Sequence, residues 1–189
     1  MSIAAAATLA PAVEHGIPVR VLNTARPGGE GTVILGNASP GPSPVKSIAY
    51  KEGMTVVDLV SARMFRAHRF LGKVFEVMER HEVAPDLVAT SEVSVAMALS
   101  PCTSLGALVK DLSALGRVEV RRDQAVVAVV GERLKEEPGI VGRIFDSLTD
   151  VRVAMVSQGG SKVALSFAVA EADIERVVRR LHRRFLLSM

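Results

Sequence analysis

The sequence predicts an α+β fold: two ferredoxin-like βαββαβ modules in tandem, behind a shorter N-terminal piece. Three observations carry this. From about Lys46 onward, short β-branched runs alternate with segments of helical apolar spacing. The stretch 70–76 reappears as 140–146, and 95–99 reappears as 163–167, at offsets of 70 and 68 residues. Residues 36–45 (Gly-Asn-Ala-Ser-Pro-Gly-Pro-Ser-Pro-Val) can form neither a helix nor an internal strand, and so mark a linker. A repeat of about 70 residues is a duplicated domain, because stacked solenoid units run to only ~20–50 residues.

The elements follow in order. Residues 3–10 form a short apolar run with no Lys or Arg ahead of it, which predicts the start of a helix in a cytoplasmic chain and no secretion signal. Short strands are expected at 17–22 and 32–35, with Pro27, Gly28, Gly29 and Gly31 between them. Met54–Val60 reads as the first strand of the first module. Residues 69–81 read as a helix, with Phe70, Leu71, Val74, Phe75 and Met78 at helical spacing and Glu76 and Arg80 as an outward i,i+4 pair. Strands follow at 86–90 and 93–99, then a helix over 104–115 with Leu105, Leu108, Leu112 and Leu115 inward. A half-exposed strand closes the module at 117–121. That order is the split βαβ arrangement. The second pass runs through a strand at 125–130, a helix at 140–148, strands at 152–157 and 163–169, and a helix at 172–186. Its apolar face is Ile174, Val177, Val178, Leu181 and Phe185. This module lacks a last strand, and Ser47–Lys51 is expected to supply it, since an uncovered sheet edge is a liability.

Composition narrows the function. The chain has 189 residues, 49% hydrophobic and 23% charged, enough to bury a core. Mean hydropathy is +0.31, yet no apolar run approaches the ~18 residues of a membrane span, so no membrane partner is expected. The net charge is +3 and the pI about 9.3, but aromatics are 4% and Trp is absent. Bases would find little to stack on, and nucleic acid is not expected as a partner. One cysteine, Cys102, excludes an internal disulfide and a thiolate zinc cluster.

Covalent chemistry has no constellation to work with. There is no G-x-x-x-x-G-K-[ST] loop and no G-x-G-x-x-G; Gly159-Gly160-Ser161-Lys162 lacks the first glycine and lies between strands. His15, His68, His81 and His182 show no ligand spacing, and no metal site is expected. The arginines at 176, 179, 180, 183 and 184 read as the solvated face of the last helix. Small-molecule binding has more to offer. The loop 61–68 leads into a helix whose first N–H groups suit a carboxylate. Asp86, at the start of the next strand, suits an ammonium. Together they form a cradle for an amino acid.

Two strings carry a family resemblance. Arg69-Phe70-Leu71-Gly72-Lys73-Val74-Phe75-Glu76, followed by Asp86-Leu87-Val88-Ala89-Thr90-Ser91-Glu92-Val93-Ser94-Val95, closely resembles the first of two ACT domains in the regulatory region of aspartate kinases, its lysine-sensitive branch above all. Val151–Phe167 is similar to the second ACT domain. Gly16–Thr24 with Gly31–Ile34 resembles the last strands of the family's kinase domain, and Thr8–Val13 the helix before them. The organisation expected is 1–35 as a remnant of the kinase domain, 36–45 as linker, 46–123 as the first ACT module and 124–189 as the second. The family's K-F-G-G-T-S region, which supplies the ATP and aspartate sites, has no counterpart here. The chain alone is therefore expected to be inactive, with ATP and Mg belonging to the kinase domain and no cofactor on this chain.

The resemblance implies allosteric sensing of a pathway end product, lysine ahead of threonine, at an ACT–ACT interface of a homodimer, with a kinase domain or catalytic subunit as partner. Carried over by position, the effector carboxylate meets the N–H groups of Phe70 and Leu71, Met64 and Ala67 line the pocket, Asp86 holds the amino group, and Thr90, Ser91 and Glu92 lie near the dimer edge. Arg69 stands where the family has glycine and Pro85 where it usually has Val, which removes one N–H. Ala67 stands where the lysine-sensitive branch has serine, and Ala164 where an Asn is common. Arg69 is expected to reach Asp86 and occupy the ammonium position, weakening effector binding. The alternative is a free-standing ACT protein with another partner.

Overall fold

The computed structural model describes residues 11–12, 14–25, 28–29, 31–36, 43–62, 69–132, 134–159 and 163–187. The expected helix at 3–10 lies outside them, as do Met64 and Ala67. The chain forms two compact units, 1–41 and 42–189. In the first, β1 (Val19–Val21) pairs antiparallel with β2 (Thr32–Ile34), Val19 opposite Ile34.

In the second unit, β3 (Ser47–Val60), β4 (Pro85–Thr90), β5 (Ser94–Leu99), β6 (Arg117–Val130), β7 (Val153–Ser157) and β8 (Ala164–Ala170) form one sheet. Its order is β4-β5-β3-β6-β8-β7, and every neighbouring pair is antiparallel. Here the structure departs from the strand boundaries read from sequence. The segments expected separately at 47–51 and 54–60 are one 14-residue strand, and so are those at 117–121 and 125–130. The N-terminal half of β3 pairs with the C-terminal half of β6, Ser47 opposite Val130. Its C-terminal half lies between β5 and the start of β6, Val60 opposite Ser94 and Arg117.

The charged groups Lys51-Glu52-Gly53 and Arg121-Arg122-Asp123 read as breaks, but they are bends. Gly53 has φ 70° and Asp123 φ 52°, and the register shifts there. An extra residue in a strand moves the apolar parity by one without changing the face that is buried. Thus Val118 and Val120 serve the first core, whereas Ala125, Val127 and Val129 serve the second. The bend at Gly53 is tied across the modules, its N–H donating to Oε2 of Glu171 at 2.9 Å.

Helices cover one face of this sheet. α1 (Phe70–Arg80) and α2 (Leu105–Ser113) pack on Val57, Leu59, Val95, Met97 and Leu99. α3 (Ile140–Asp146) and α4 (Ile174–Phe185) pack on Val127, Val129, Leu165 and Phe167. On α4, Ile174, Val177, Leu181 and Phe185 are buried at i, i+3, i+7 and i+11; each contributes about 1.5–3 kcal/mol of apolar burial. Phe145 meets Phe167 edge-on, centroids 5.5 Å apart. The last helix begins at Ile174 instead of 172, because Glu171–Asp173 form a 3-10 turn. Val93, read as the first residue of its strand, instead sits exposed in the β4–β5 turn.

A third apolar cluster lies on the helix-free side: Met54, Val56, Ala98, Met155 and Ala168. The two halves of the sheet fold back so that these faces meet, giving helix, sheet, sheet and helix layers. Ser157 Oγ donates to the carbonyl of Val88 at 3.1 Å across that seam. Arg121 pairs with Asp58 and also donates to the Ala154 carbonyl at 3.3 Å.

Candidate functional site

The expected site residues gather at the two ends of the first module. At one end β3 finishes and α1 begins. Ser61 N donates to the Val93 carbonyl at 2.8 Å and its Oγ to the Leu115 carbonyl at 3.0 Å. Thr90 ends β4 opposite Val95. Ser91 and Ser94 close the turn: Ser91 N donates to the Ser94 carbonyl at 2.8 Å, and Ser94 N to Ser91 Oγ at 3.1 Å. Ser91 and Glu92 are exposed. α1 starts at Phe70 with Arg69 as its N-cap, and no side chain caps it. The first-turn N–H groups, at Phe70 and Leu71, therefore have no acceptor within the helix. Phe70 is buried, Leu71 half-buried and Arg69 exposed.

Asp86 lies at the other end. Its neighbour Pro85 is opposite Leu99, which in turn is opposite Thr55, where the first-module half of β3 starts. α1 runs back along the sheet, and its 11 residues span about 16 Å. The Arg69–Asp86 pair expected from sequence is thus corrected: a helix length separates the two. The cation on Asp86 is Lys51, whose Nζ donates to Oδ1 at 2.6 Å. Ser100 Oγ donates to Oδ2 at 2.5 Å and accepts from Lys51 Nζ at 2.6 Å. Partial burial would raise the Asp86 pKa, but hydrogen bonds from Lys51 and Ser100, with the Lys51 charge, outweigh it and hold the carboxyl below its ordinary value. Ser100 also lines a cavity of about 230 Å³ with Gly53, Met54, Thr55, Pro101, Cys102, Leu105, Arg122 and Asp123.

Two further sets of charged groups lie outside that cluster. Asp58, between the sheet layers, is held above the usual carboxylate range by burial, against the pull of Arg121 and with a further push from Glu119. The Arg-rich face of α4 is laced with carboxylates: Arg176 and Arg180 both reach Asp150, Arg176 also reaches Asp173, and Arg179 reaches Glu175. Among the described residues no group of three His, Cys, Asp or Glu side chains could hold a metal ion, and no helix is long and apolar enough to cross a membrane.

Known proteins resemble this chain in sequence and fold. Residues 127–185 match the ACT domain family. A C-terminal regulatory domain of aspartate kinase from Porphyromonas gingivalis, described as putative, is 31% identical, with a TM-score of 0.67 over 76% of this chain and 99% of that one. The chain belongs to the aspartate kinase family. Its match is to the regulatory region, with ACT domains. Lysine-sensitive aspartokinase 3 of Escherichia coli is 37% identical over 184 residues, 93% of this chain and 41% of the relative. The crystal structure of E. coli aspartokinase III in complex with lysine and aspartate, in the T-state, superposes with a TM-score of 0.82 at 36% identity, covering 95% of this chain and 41% of that one. The chain thus spans about two fifths of the length of these aspartokinases.

Sequence reasoning missed Lys51 and Ser100. Nothing in the spacing of Lys51, Asp86 and Ser100 relates them. They meet because β3 bends at Gly53 beside the β5–α2 connection.

Proposed function

We propose that this chain is the allosteric, amino-acid-sensing portion of an aspartate kinase, binding lysine in preference to threonine where ACT modules of two copies meet. Residues 46–123 and 124–189 are its two modules, and it acts in the cytoplasm on a kinase domain that holds ATP, Mg and aspartate. The observation that carries this is the likeness, over 95% of the chain, to an aspartokinase crystallised with lysine.

The geometry adds a condition. The α1 N-terminus and Asp86 lie too far apart for one amino acid to touch both within a chain. Two copies joined antiparallel along their β4 edges bring the Phe70 and Leu71 N–H groups of one beside Asp86 of the other. The carboxylate end of the effector then meets the helix terminus and its amine meets Asp86, with Thr90, Ser91, Glu92 and the Pro85 backbone along the shared edge. Such a site binds only the paired state, so effector and self-association reinforce each other.

Calorimetry with lysine and threonine, joined to sedimentation equilibrium, tests the reading. Lysine should bind with the greater affinity and shift the chain toward dimer; tighter threonine binding would reverse the effector assignment. Alone, the chain should show no ATP- and aspartate-dependent phosphorylation. Binding of neither amino acid would favour the second reading, an ACT protein with a different partner. What favours that reading is Pro85, which offers no N–H, and the cation already seated on Asp86.

A further inference from the structure

Asp86 carries its own ammonium. Lys51 Nζ, Asp86 and Ser100 Oγ close a triangle of hydrogen bonds at 2.5–2.6 Å. Lys51 lies 35 residues before Asp86 and on another strand. The bend in β3 puts it there: Lys51 pairs with Val126 and Met54 with Gln124, so that Glu52 and Gly53 bulge opposite the single residue Ala125. A primary ammonium on a carboxylate, steadied by a hydroxyl, is also what the amine of an amino acid would make at Asp86.

We infer that Lys51 is an internal competitor for the amine-binding half of the effector site, so that an effector amine takes Asp86 only after Lys51 has left it. The inference rests on the reading of Asp86 as an effector residue. Its strength follows from exposure. The Lys51 side chain is 53% exposed and that of Asp86 32%, and exposed pairs of this kind are weak. The lock therefore opens readily and acts as a tuner. Apparent affinity is the intrinsic affinity multiplied by the fraction of molecules in which Asp86 is free. Lys51 also places a positive charge where a cationic amine must arrive, which works in the same direction.

The test is lysine calorimetry at pH 7.5 and low salt on the full chain and on Lys51→Met, Lys51→Arg and Asp86→Asn, with thermal melts to check folding. A ¹³C NMR titration of the Asp86 carboxyl in the chain and in Lys51→Met accompanies it. Lys51→Met should bind lysine about 3- to 10-fold more tightly, Lys51→Arg should stay near the parent, and Asp86→Asn should lose binding. In Lys51→Met the carboxyl should titrate at higher pH. Loss of binding in Asp86→Asn with no gain in Lys51→Met would overturn the competitor and leave the effector reading intact. So would an Asp86 titration that ignores Lys51→Met. Unaltered binding in Asp86→Asn, or no lysine binding by any of the proteins, would overturn the effector reading and the competitor with it.

Discussion

Replacing Arg121 by methionine removes the cation held between the two sheet layers while keeping most of its apolar stem. Asp58, on β3, then loses the guanidinium that faces it, and the Ala154 carbonyl on β7 loses a donor. Breaking a fully buried pair by removing one partner costs roughly 3–5 kcal/mol. Here the side chains are 25% and 20% exposed, so water recovers part of the loss and about 2 kcal/mol is expected at pH 7. The pH dependence has a definite sign. Burial already holds Asp58 above its ordinary value of 3.8, and without Arg121 it rises further. A carboxylate with a raised folded pKa supports folding below its unfolded value, and that support is lost as pH rises through the folded value. The cost of Arg121→Met therefore grows from pH 4 to pH 7. Adding Asp58→Asn removes the stranded charge, and the double variant should return to within about 1 kcal/mol of the parent. Urea denaturation followed by circular dichroism at both pH values measures all of this. Equal cost at pH 4 and 7, with no recovery in the double variant, would refute the ion-pair account and leave Arg121 acting through its packing.

Gly131→Ala places a Cβ 1.8 Å from the Pro44 carbonyl oxygen and 2.8 Å from its carbon; backbone must move, and a loss of about 3 kcal/mol or more is expected in thermal melts. Leu181→Ala, at a fully buried position on α4, should cost about 2–5 kcal/mol in urea, whereas Leu187→Ala, 66% exposed, should stay within about 0.5 kcal/mol. Asp86, whose pKa is lowered, supports folding above its unfolded value and loses that support as pH falls through the folded one; Lys51→Met should flatten the acid limb of the stability profile below about pH 5, read from melts across a pH series.

Much of the fold is legible in the residue pattern, for local reasons. Leu105, Leu108 and Leu112, or Ile174, Val177 and Leu181, announce a helix because their spacing matches its turn. Val95, Met97 and Leu99 announce a strand because they alternate. The same local logic fails at Lys51-Glu52-Gly53 and Arg121-Arg122-Asp123. Charged groups there read as interruptions, although a bend can expose them without ending the hydrogen-bonded ladder. In the candidate site, Phe70 and Leu71 could be placed at a helix start from spacing alone. Which cation answers Asp86 could not, since Arg69 and Lys51 are equally good donors on paper.

The order of residues was enough to establish the duplication, the helix–strand succession and the family resemblance, because each depends on short-range periodicity or on strings that stay together along the chain. Folding alone determined that the two modules share both long strands, that their helix-free faces pack against each other, and that Asp86 meets Lys51 a helix length away from the α1 N-terminus. Those outcomes depend on where a bent strand passes distant parts of the chain, which no local pattern records.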